Sequence, residues 1–218
     1  MVDGAAAISR GALDAGCNFF AGYPITPASG ILGHMLRELP KIGGVGIQGE
    51  DEISSIGHCI GAATAGATAF TASSGPGLSL YSENIGLAIM MEVPLVIVIS
   101  QRLGHSTGAA TAAAQGDIQF MRWCTSGGYP VIVLSPTNIS ESYHLTKRAF
   151  KLSKRFRNPV FIATDKETVM TTESVAVTEM NNPPDWPEIS DEPIGKPLNP
   201  YQINGQIQQQ CMQWVPFN

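Results

Sequence analysis

Residues whose side chains can take part in chemistry follow the predicted strands of this 218-residue chain, at the points where the strands end. Ligands of an open parallel sheet bind outside the carboxyl ends of its strands, so these segments are the first place to look for a site. They are Tyr23-Pro24-Ile25-Thr26-Pro27, Glu50-Asp51-Glu52, Ser73-Ser74-Gly75-Pro76-Gly77, Gln101-Arg102, Ser135-Pro136 and Asp165. An acidic cluster, hydroxyls, a glycine-rich turn and an arginine at one edge favour a small anionic, partly aromatic ligand.

Each segment also has an ordinary structural interpretation. The prolines at 24 and 27 would stiffen a strand-to-helix turn with Ser29 as the N-cap, and acids at 50–52 are typical of a first helical turn. The glycine-rich turn matches neither G-x-x-x-x-G-K-[ST] nor G-x-G-x-x-G, which disfavours nucleotide binding of either kind. Arg102 directly follows an apolar strand, where a part-desolvated guanidinium suits a carboxylate ligand at least as well as an ion pair.

The spacing of histidines and cysteines predicts no metal site on this chain. These residues are His34, His58, His105, His144, Cys17, Cys59, Cys124 and Cys211. The histidines form no H-x-x-x-H or H-E-x-x-H pattern, and the cysteines form no C-x-x-C pair and are interpreted as reduced thiols. His58 falls within a predicted helix, where packing is the better interpretation, so His105, in a long loop, is the one histidine kept as a site candidate.

Apolar β-branched runs alternate with helical patterns as far as Asp165, which predicts an α/β fold: a parallel sheet with helices on both faces. The predicted strands are 18–22, 45–48, 68–72, 95–100, 131–134 and 160–164. The predicted helices are 4–15, 29–39, 51–65, 78–91, 116–123 and 139–156, with Asp51 and Asn138 as N-caps of the third and the last. Small residues in the helix behind Glu52, Gly57 and Gly61 among them, predict a close approach by another backbone or subunit.

The composition changes after Glu167, and we expect residues 1–167 to form one domain and residues 168–218 an extended arm. Residues 168–177 fit one more edge strand. The prolines that follow exclude helix and sheet interiors; they are Pro183, Pro184, Pro187, Pro193, Pro197 and Pro200. Aromatic anchors predict that the arm packs either on this chain's own surface or on a partner subunit; they are Trp186, Tyr201, Trp214 and Phe217.

Composition and charge narrow the classes of partner. Charged residues make up only 14% of the chain, where about 25% is usual, so we expect an obligate assembly in which other subunits cover part of the surface. A net charge of −5 with no long basic run excludes a nucleic-acid footprint. The apolar runs are far shorter than the about 20 residues of a membrane span. Residues 1–15 lack the apolar core of a signal peptide, which predicts a cytoplasmic location and no membrane partner.

Several stretches, taken in order, carry a specific resemblance to a known family. They are GYPITPAS at 22–29, QGEDEI at 48–53, ASSGPG at 72–77, ENIG at 83–86, and Gln101-Arg102 with STG at 106–108 and QGD at 115–117. Together they resemble the α subunit of 2-oxoacid:ferredoxin oxidoreductases, in particular the 2-oxoglutarate type. The resemblance covers about residues 3–165 and implies the pyrimidine-binding fold of thiamine diphosphate enzymes, which agrees with the predicted sheet.

The resemblance implies three catalytic residues. Glu52 is similar to the glutamate that contacts N1′ of the aminopyrimidine ring. Thr26 resembles the hydroxyl that touches substrate and intermediate, and Arg102 resembles the arginine that binds the 2-oxoacid carboxylate. The remaining site residues implied are Tyr23, Pro24, Ile25, Ser74 and Gly75 around the cofactor, and His105, Ser106 and Thr107 in the substrate pocket.

The resemblance also implies cofactors and partners. Thiamine diphosphate would be shared with a β subunit that carries Mg²⁺ and a [4Fe-4S] cluster, and coenzyme A, a 2-oxoacid and ferredoxin would complete the reaction in a hetero-oligomer. The family's α chain continues into a second α/β domain, so this chain is expected to be either a short subunit or a fragment. Alternatives are a non-catalytic structural subunit, a single-chain NAD(P)- or coenzyme A-binding enzyme, and specificity for pyruvate or a branched-chain 2-oxoacid.

Overall fold

The computed structural model describes residues 1–192 and 194, and this part of the chain is an α/β fold. Its strands are β1 (Val2–Asp3), β2 (Phe19–Gly22), β3 (Val45–Gln48), β4 (Ala69–Ser73), β5 (Leu95–Gln101), β6 (Ile132–Leu134), β7 (Val160–Asp165) and β8 (Thr172–Glu173). Its helices are α1 (Gly4–Asp14), α2 (Ser29–Glu38), α3 (Glu52–Thr64), α4 (Gly75–Met90), α5 (Asp117–Arg122), α6 (Ile139–Phe156), α7 (Lys166–Met170) and α8 (Val177–Asn181). A short 3₁₀ helix, Leu39–Ile42, follows α2.

Six strands form one parallel sheet in the order β3-β2-β4-β5-β7-β6. The chain adds β3 on one side of β2 and then returns to add β4 on the other side. Loops that leave the carboxyl ends of β2 and β4 therefore diverge, α2 to one face and α4 to the other. This reversal of strand order opens the crevice in which ligands of parallel sheets bind. The predicted parallel sheet with helices on both faces is confirmed.

Alternating side chains of the central strands supply two apolar cores. In β5, Val96 and Val98 pack with α1, α2 and α6, whereas Leu95, Ile97 and Ile99 pack with α3 and α4. Every residue of β5 is buried, as expected for a strand covered on both faces. These two cores hold the carboxyl ends of β2, β4 and β5 in fixed register beneath the loops that follow them.

Side-chain caps start the helices that the sequence marks. Asp51 accepts a hydrogen bond from the backbone N–H of Ser54 at 2.7 Å, and the Ser54 hydroxyl accepts one from the backbone N–H of Asp51, a reciprocal capping box. Asn138 caps α6 through the backbone N–H of Glu141. The expected cap at Ser29 is wrong: Ala28 holds the N-cap position without a side-chain hydrogen bond, and Ser29 is the first residue of α2.

The expected edge strand at residues 168–177 is wrong. Only Thr172–Glu173 is a strand there, and it pairs antiparallel with β1 in a separate two-stranded sheet. The cause lies at the end of β7, where the Asp165 carboxylate accepts a hydrogen bond from the backbone N–H of Thr168 at 2.8 Å and starts α7. Because β7 is an interior strand and the chain turns into a helix at once, the following residues leave the main sheet.

The described part of the predicted arm lies along α6. Arg148 donates to the carbonyl of Pro187 at 3.0 Å and its guanidinium stacks over Trp186, while the backbone N–H of Ile194 donates to the carbonyl of Arg155. Residues 182–192 contain no helix or strand, as the prolines predict. The anchors Tyr201, Trp214 and Phe217, together with Cys211, lie outside the described residues. Among the described helices, none has the length and apolarity needed to cross a membrane.

Candidate functional site

Glu52 is a buried carboxylate at the first position of α3, with 7% of its surface exposed. The capping box of Asp51 fixes this position, and Glu50 on the preceding turn is exposed. Gly77 makes room for the carboxylate, because a Cβ atom there would lie 2.8 Å from Cγ and 3.1 Å from Oε1 of Glu52. The start of α4 thus packs directly against the Glu52 side chain.

A buried hydroxyl network lies behind Glu52. Tyr81 is fully buried and its hydroxyl is 2.8 Å from Oγ1 of Thr71, which in turn donates to the carbonyl of Ala21 at 2.7 Å. Burial raises the pKa of Tyr81, and the nearby negative charge of Glu52 adds to the effect. The phenol therefore stays neutral and fixes the floor of the site between β2 and β4.

Arg102 joins the loop after β5 to the loop after β2. Its side chain is buried, at 4% exposed, and Nη1 donates to the carbonyl of Thr26 at 2.6 Å. Its Nε atom has no hydrogen-bond partner among the described residues. Thr26 is half-buried in a loop whose other predicted site residues are exposed (Pro24) or half-buried (Tyr23 and Ile25). The structure therefore brings Thr26 and Arg102 together, as their predicted shared site requires.

The turn between β4 and α4 holds polar atoms that are buried and unpaired. Ser74 is the N-cap residue of α4, yet its side chain makes no capping hydrogen bond, and the Oγ atoms of Ser73 and Ser74 have no partner among the described residues. Gly75 packs against Asp117, since a Cβ atom at Gly75 would lie 2.5 Å from Oδ1 of that residue. An unpaired buried polar group costs about 1–3 kcal/mol, so such atoms are candidates for contact with a polar ligand or with ordered water.

Three predicted pocket residues stand apart from this cluster. His105, Ser106 and Thr107 are exposed in the loop after β5, where the backbone N–H of Leu103 donates to the carbonyl of Ala112 at 2.8 Å. No described hydrogen bond joins them to Glu52, Thr26 or Arg102. Their place in the substrate pocket stays a prediction.

Two of the segments that follow strands at the carboxyl edge have structural roles in place of the predicted part in a site. Asp165 caps α7, and the Ser135 hydroxyl donates to the carbonyl of Ala163 at 3.0 Å, which ties β6 to β7. Ser100 and Thr164 were not singled out, although their buried hydroxyls lie without a described partner near the ends of β5 and β7. A polar residue at the end of an apolar strand is the sequence signal that could have singled out these two residues. It does not show which hydroxyl the fold leaves without a hydrogen-bond partner.

Asp117 is a further carboxylate near the site. It belongs to the QGD stretch at 115–117, for which the sequence predicts no role. It is buried at the start of α5, and burial raises its pKa, an effect that the backbone N–H and the guanidinium charge of Arg102 oppose.

The thiols of Cys17 and Cys59 are buried as well, and desolvation raises the pKa of each to about 12, so both stay protonated. Among the described residues no three His, Cys, Asp or Glu side chains form a group able to hold a metal ion.

Comparison with known proteins identifies related sequences. A family model described as pyruvate flavodoxin/ferredoxin oxidoreductase, thiamine diphosphate-binding, matches residues 10–213. The chain is 50% identical over 177 residues to 2-oxoglutarate synthase subunit KorA of Archaeoglobus fulgidus, covering 81% of this chain and 51% of the relative. It is 43% identical over 166 residues to ketoisovalerate oxidoreductase subunit VorB of Methanothermobacter thermautotrophicus, covering 76% and 47%.

A solved structure shares the fold. The 2-oxoglutarate:ferredoxin oxidoreductase from Magnetococcus marinus, solved with 2-oxoglutarate, coenzyme A and succinyl-CoA bound, superposes with a TM-score of 0.75 at 38% identity over 77% of this chain and 29% of that chain. The chain spans about half the length of the curated relatives described above. Because the family model covers most of the sequence, the chain belongs to the thiamine diphosphate-binding family of pyruvate flavodoxin/ferredoxin oxidoreductases.

Proposed function

We propose that this chain supplies the aminopyrimidine side of a thiamine diphosphate site in a 2-oxoacid:ferredoxin oxidoreductase. The observation that carries the proposal is the convergence of one buried carboxylate and one buried arginine, Glu52 and Arg102, on the carboxyl edge of a parallel sheet at its reversal of strand order. A structural subunit that only braces its partners has no need for these two buried charged groups.

The residues around Glu52 fit an aminopyrimidine ring. None of the described residues donates a hydrogen bond to the Glu52 carboxylate, and Gly77 lets α4 pack closely against one side of it. A buried carboxylate of this kind binds a ring nitrogen and exchanges a proton with it, the role proposed here for Glu52 at N1′. Tyr23, Pro24 and Ile25 from the β2 loop and Ser74 and Gly75 from the α4 turn would enclose the ring.

Thr26 and Arg102 would hold the substrate. Arg102 presents a buried guanidinium whose Nε has no described partner, and a 2-oxoacid carboxylate would satisfy it through a charge-assisted hydrogen bond. The bond from Nη1 to the Thr26 carbonyl holds the guanidinium against the loop that carries the Thr26 hydroxyl, which would touch the reacting keto group. His105, Ser106 and Thr107 would close the outer side of the pocket.

The chemistry supplied by bound thiamine diphosphate is a nucleophilic carbon and an electron sink for decarboxylation of the 2-oxoacid. A partner β subunit would hold Mg²⁺ on the diphosphate and a [4Fe-4S] cluster, as the resemblance to the family implies. Ferredoxin would then accept the electrons and coenzyme A the acyl group. Such an assembly is a hetero-oligomer that we place in the cytoplasm.

The favoured substrate is 2-oxoglutarate. The relatives with the higher identity carry the name 2-oxoglutarate synthase, at 50% and 46%, whereas those named ketoisovalerate oxidoreductase reach 43%. The margin is small, so a branched-chain 2-oxoacid is the second candidate. Leu103 and His105 in the exposed loop are the positions at which we expect the choice to be made.

The test is turnover by the complex of this chain with its partner subunits. Ferredoxin reduction is followed with coenzyme A, thiamine diphosphate and one of three substrates: 2-oxoglutarate, 2-oxoisovalerate or pyruvate. We expect the highest kcat/KM with 2-oxoglutarate and no reduction when coenzyme A or thiamine diphosphate is left out. Failure of all three oxoacids to reduce ferredoxin would contradict the proposal.

A second experiment addresses the sharing of the cofactor. Calorimetric titration with thiamine diphosphate and Mg²⁺ is performed on this chain alone and on the complex. Because the diphosphate requires Mg²⁺ ligands from the partner, we expect binding by the complex and none in the micromolar range by the single chain. Micromolar binding by the single chain would overturn the shared site.

A further inference from the structure

The C-terminal half of α6 is basic, and the arm that lies along it is acidic. The cations on this half of α6 are Lys147, Arg148, Lys151, Lys154 and Arg155. The acids in the described arm are Asp185, Glu188, Asp191 and Glu192. We propose that α6 is a recognition surface for an extended, acidic, proline-containing segment, and that residues 184–192, here called the strap, occupy this surface reversibly.

Three of the cations form one stripe that contacts the strap. Positions 148, 151 and 155 are spaced i, i+3 and i+7, which places their side chains on one side of the helix. The contacts are Arg148 Nη1 to the carbonyl of Pro187 at 3.0 Å, Arg155 Nη1 to the carbonyl of Ser190 at 3.3 Å, and Lys151 Nζ to Oδ1 of Asp191 at 3.9 Å. Lys154 makes no hydrogen bond or ion pair with the described arm, so position on the helix matters as well as charge.

The two arginine contacts match the repeat of the helix to that of an extended chain. Arg148 and Arg155 are seven residues apart, which is about 10.5 Å along an α-helix. The carbonyls that they bind belong to residues three apart, which is about 9–10 Å in an extended or polyproline II chain. The same three residues in a helical segment would span only about 4.5 Å. The stripe therefore selects an extended segment.

The side chains of the strap follow the same three-residue repeat. Trp186 and Ile189 are half-buried, whereas the other strap residues are exposed. A spacing of three is the period of polyproline II, and the prolines at 184 and 187 favour that conformation on both sides of Trp186. Arg148 lies over the Trp186 ring, with 5.4 Å from Cζ to the ring centroid. One arginine thus recognises both an aromatic ring and the carbonyl that follows it.

These contacts hold the strap weakly. The Lys151 side chain is 56% exposed and that of Asp191 is 86% exposed, and exposed ion pairs contribute little and are screened by salt. The inner side of α6 is different, because Ala149 and Phe150 are buried in the core. A segment with few buried apolar contacts opens at a lower free energy than the helix beneath it. We therefore expect the strap to leave α6 as a unit while α6 stays folded.

Hydrogen exchange of the full chain, followed by mass spectrometry, tests the release. The backbone N–H of Ile194, directly after the strap, reports on the contact because it donates to the carbonyl of Arg155 at 2.9 Å. We expect its exchange to be about fivefold or more faster in about 1 M than in about 20 mM sodium chloride, with exchange in the core of α6 unchanged. An exchange rate independent of salt would overturn the inference.

Substitutions in α6 separate the stripe from basic charge in general. The double variant Arg148→Gln/Arg155→Gln loses both contacts to strap carbonyls, so exchange at Ile194 should accelerate about fivefold or more at low salt. Lys154→Gln removes a cation from the same helix and is the matched control, for which we expect the wild-type rate. Equal rates in the double variant and the control would contradict recognition by the stripe.

A synthetic peptide tests whether the surface recognises the segment itself. The peptide PPDWPEISDE, residues 183–192, is added to the full chain at about 5 mM, because a tethered segment has an effective concentration in the millimolar range. It should displace the strap and accelerate exchange at Ile194, whereas the same peptide with Trp186→Ala and Ile189→Ala should not. No acceleration by the native peptide, or equal acceleration by both peptides, would overturn the inference. Neither readout depends on turnover of a 2-oxoacid.

Discussion

Polar groups at the two ends of the parallel sheet differ in whether they have hydrogen-bond or ion-pair partners. At the amino ends of the strands, Nε of Arg157 lies 2.8 Å from Oε2 of Glu92, and the Asn18 side chain accepts a hydrogen bond from the backbone N–H of Thr68. At the carboxyl ends, buried polar atoms have no partner among the described residues. They belong to Ser73, Ser74, Ser100, Gln101, Arg102, Asp117 and Thr164.

We interpret this contrast as a difference between polar groups that serve folding and groups that would serve a ligand. The amino end also has a cavity of about 380 Å³, lined by Tyr129, Phe156 and Arg157 among others, so an open space by itself does not mark the site. Unpaired buried groups lower stability by about 1–3 kcal/mol each, and a fold tolerates several of them together only where binding makes use of them. We therefore propose that the carboxyl edge is the functional end.

The largest effect that this contrast predicts is at Glu52. Glu52→Gln keeps the shape of the side chain but cannot exchange a proton with the cofactor, so kcat of the complex should fall by about 100-fold or more. Assembly with the partner subunits should be unchanged by size-exclusion chromatography. Glu50→Gln is the control, because Glu50 is exposed, and equal losses in the two variants would show that Glu52 was the wrong choice within the acidic trio.

Arg102→Lys should have the next largest effect. Lysine keeps the charge but lacks the planar fork, so KM for the 2-oxoacid should rise about tenfold, corresponding to about 1.4 kcal/mol. The affinity for thiamine diphosphate should be nearly unchanged, since Arg102 follows a different strand from the one before Glu52. Steady-state kinetics and cofactor titration of the variant complex provide the measurement. A parallel loss of cofactor binding would assign Arg102 a structural role.

Two buried threonines allow a direct comparison between a hydroxyl that is hydrogen-bonded and one that has no described partner. Thr71 makes hydrogen bonds of 2.7 and 2.8 Å, whereas Thr164 Oγ1 makes none with a described residue. Thr71→Val should lower the free energy of unfolding by about 1–3 kcal/mol, whereas Thr164→Val, which removes an unpaired buried hydroxyl, should raise it by about 1–3 kcal/mol. Denaturant unfolding of both variants checks the difference, and equal destabilisation would remove the distinction between the two kinds of group.

The smallest effect should come from the paired charges at the amino end. Glu92→Gln breaks the ion pair with Arg157. Because the Glu92 side chain is 47% exposed, the loss in the free energy of unfolding should stay below about 1 kcal/mol. The KM for the 2-oxoacid should not change, because this pair lies at the opposite end of the sheet. A rise in KM comparable to that of Arg102→Lys would place part of the site at the amino end.

The carboxyl edge could be predicted from the sequence because it depends on local patterns. The apolar β-branched run at 95–100 marks a doubly covered strand, and the rule for parallel sheets then selects Arg102 at its end. Asp51 was predicted as a cap by residue type alone, and the structure confirms it. Each of these inferences needs only the order of residues along a few turns of chain.

Contacts between distant segments could not be predicted in this way. The approach of Asp117 to Gly75 and the bond from Arg102 to Thr26 each join loops that follow different strands, and no periodicity encodes them. The pairing of Thr172–Glu173 with β1 was missed because a two-residue strand has no pattern to detect. The prediction of Ser29 as an N-cap is wrong because a serine near a turn does not show which backbone N–H is left free.

The measurement that tests the site most directly is a structure of the complex of this chain with its partner subunits, thiamine diphosphate and Mg²⁺. We expect a carboxylate oxygen of Glu52 within about 2.6–3.2 Å of N1′ of the aminopyrimidine, with the ring between the loop after β2 and the turn that starts α4. A cofactor bound with its pyrimidine ring away from Glu52, or at the amino ends of the strands, would contradict the assignment of the carboxyl edge.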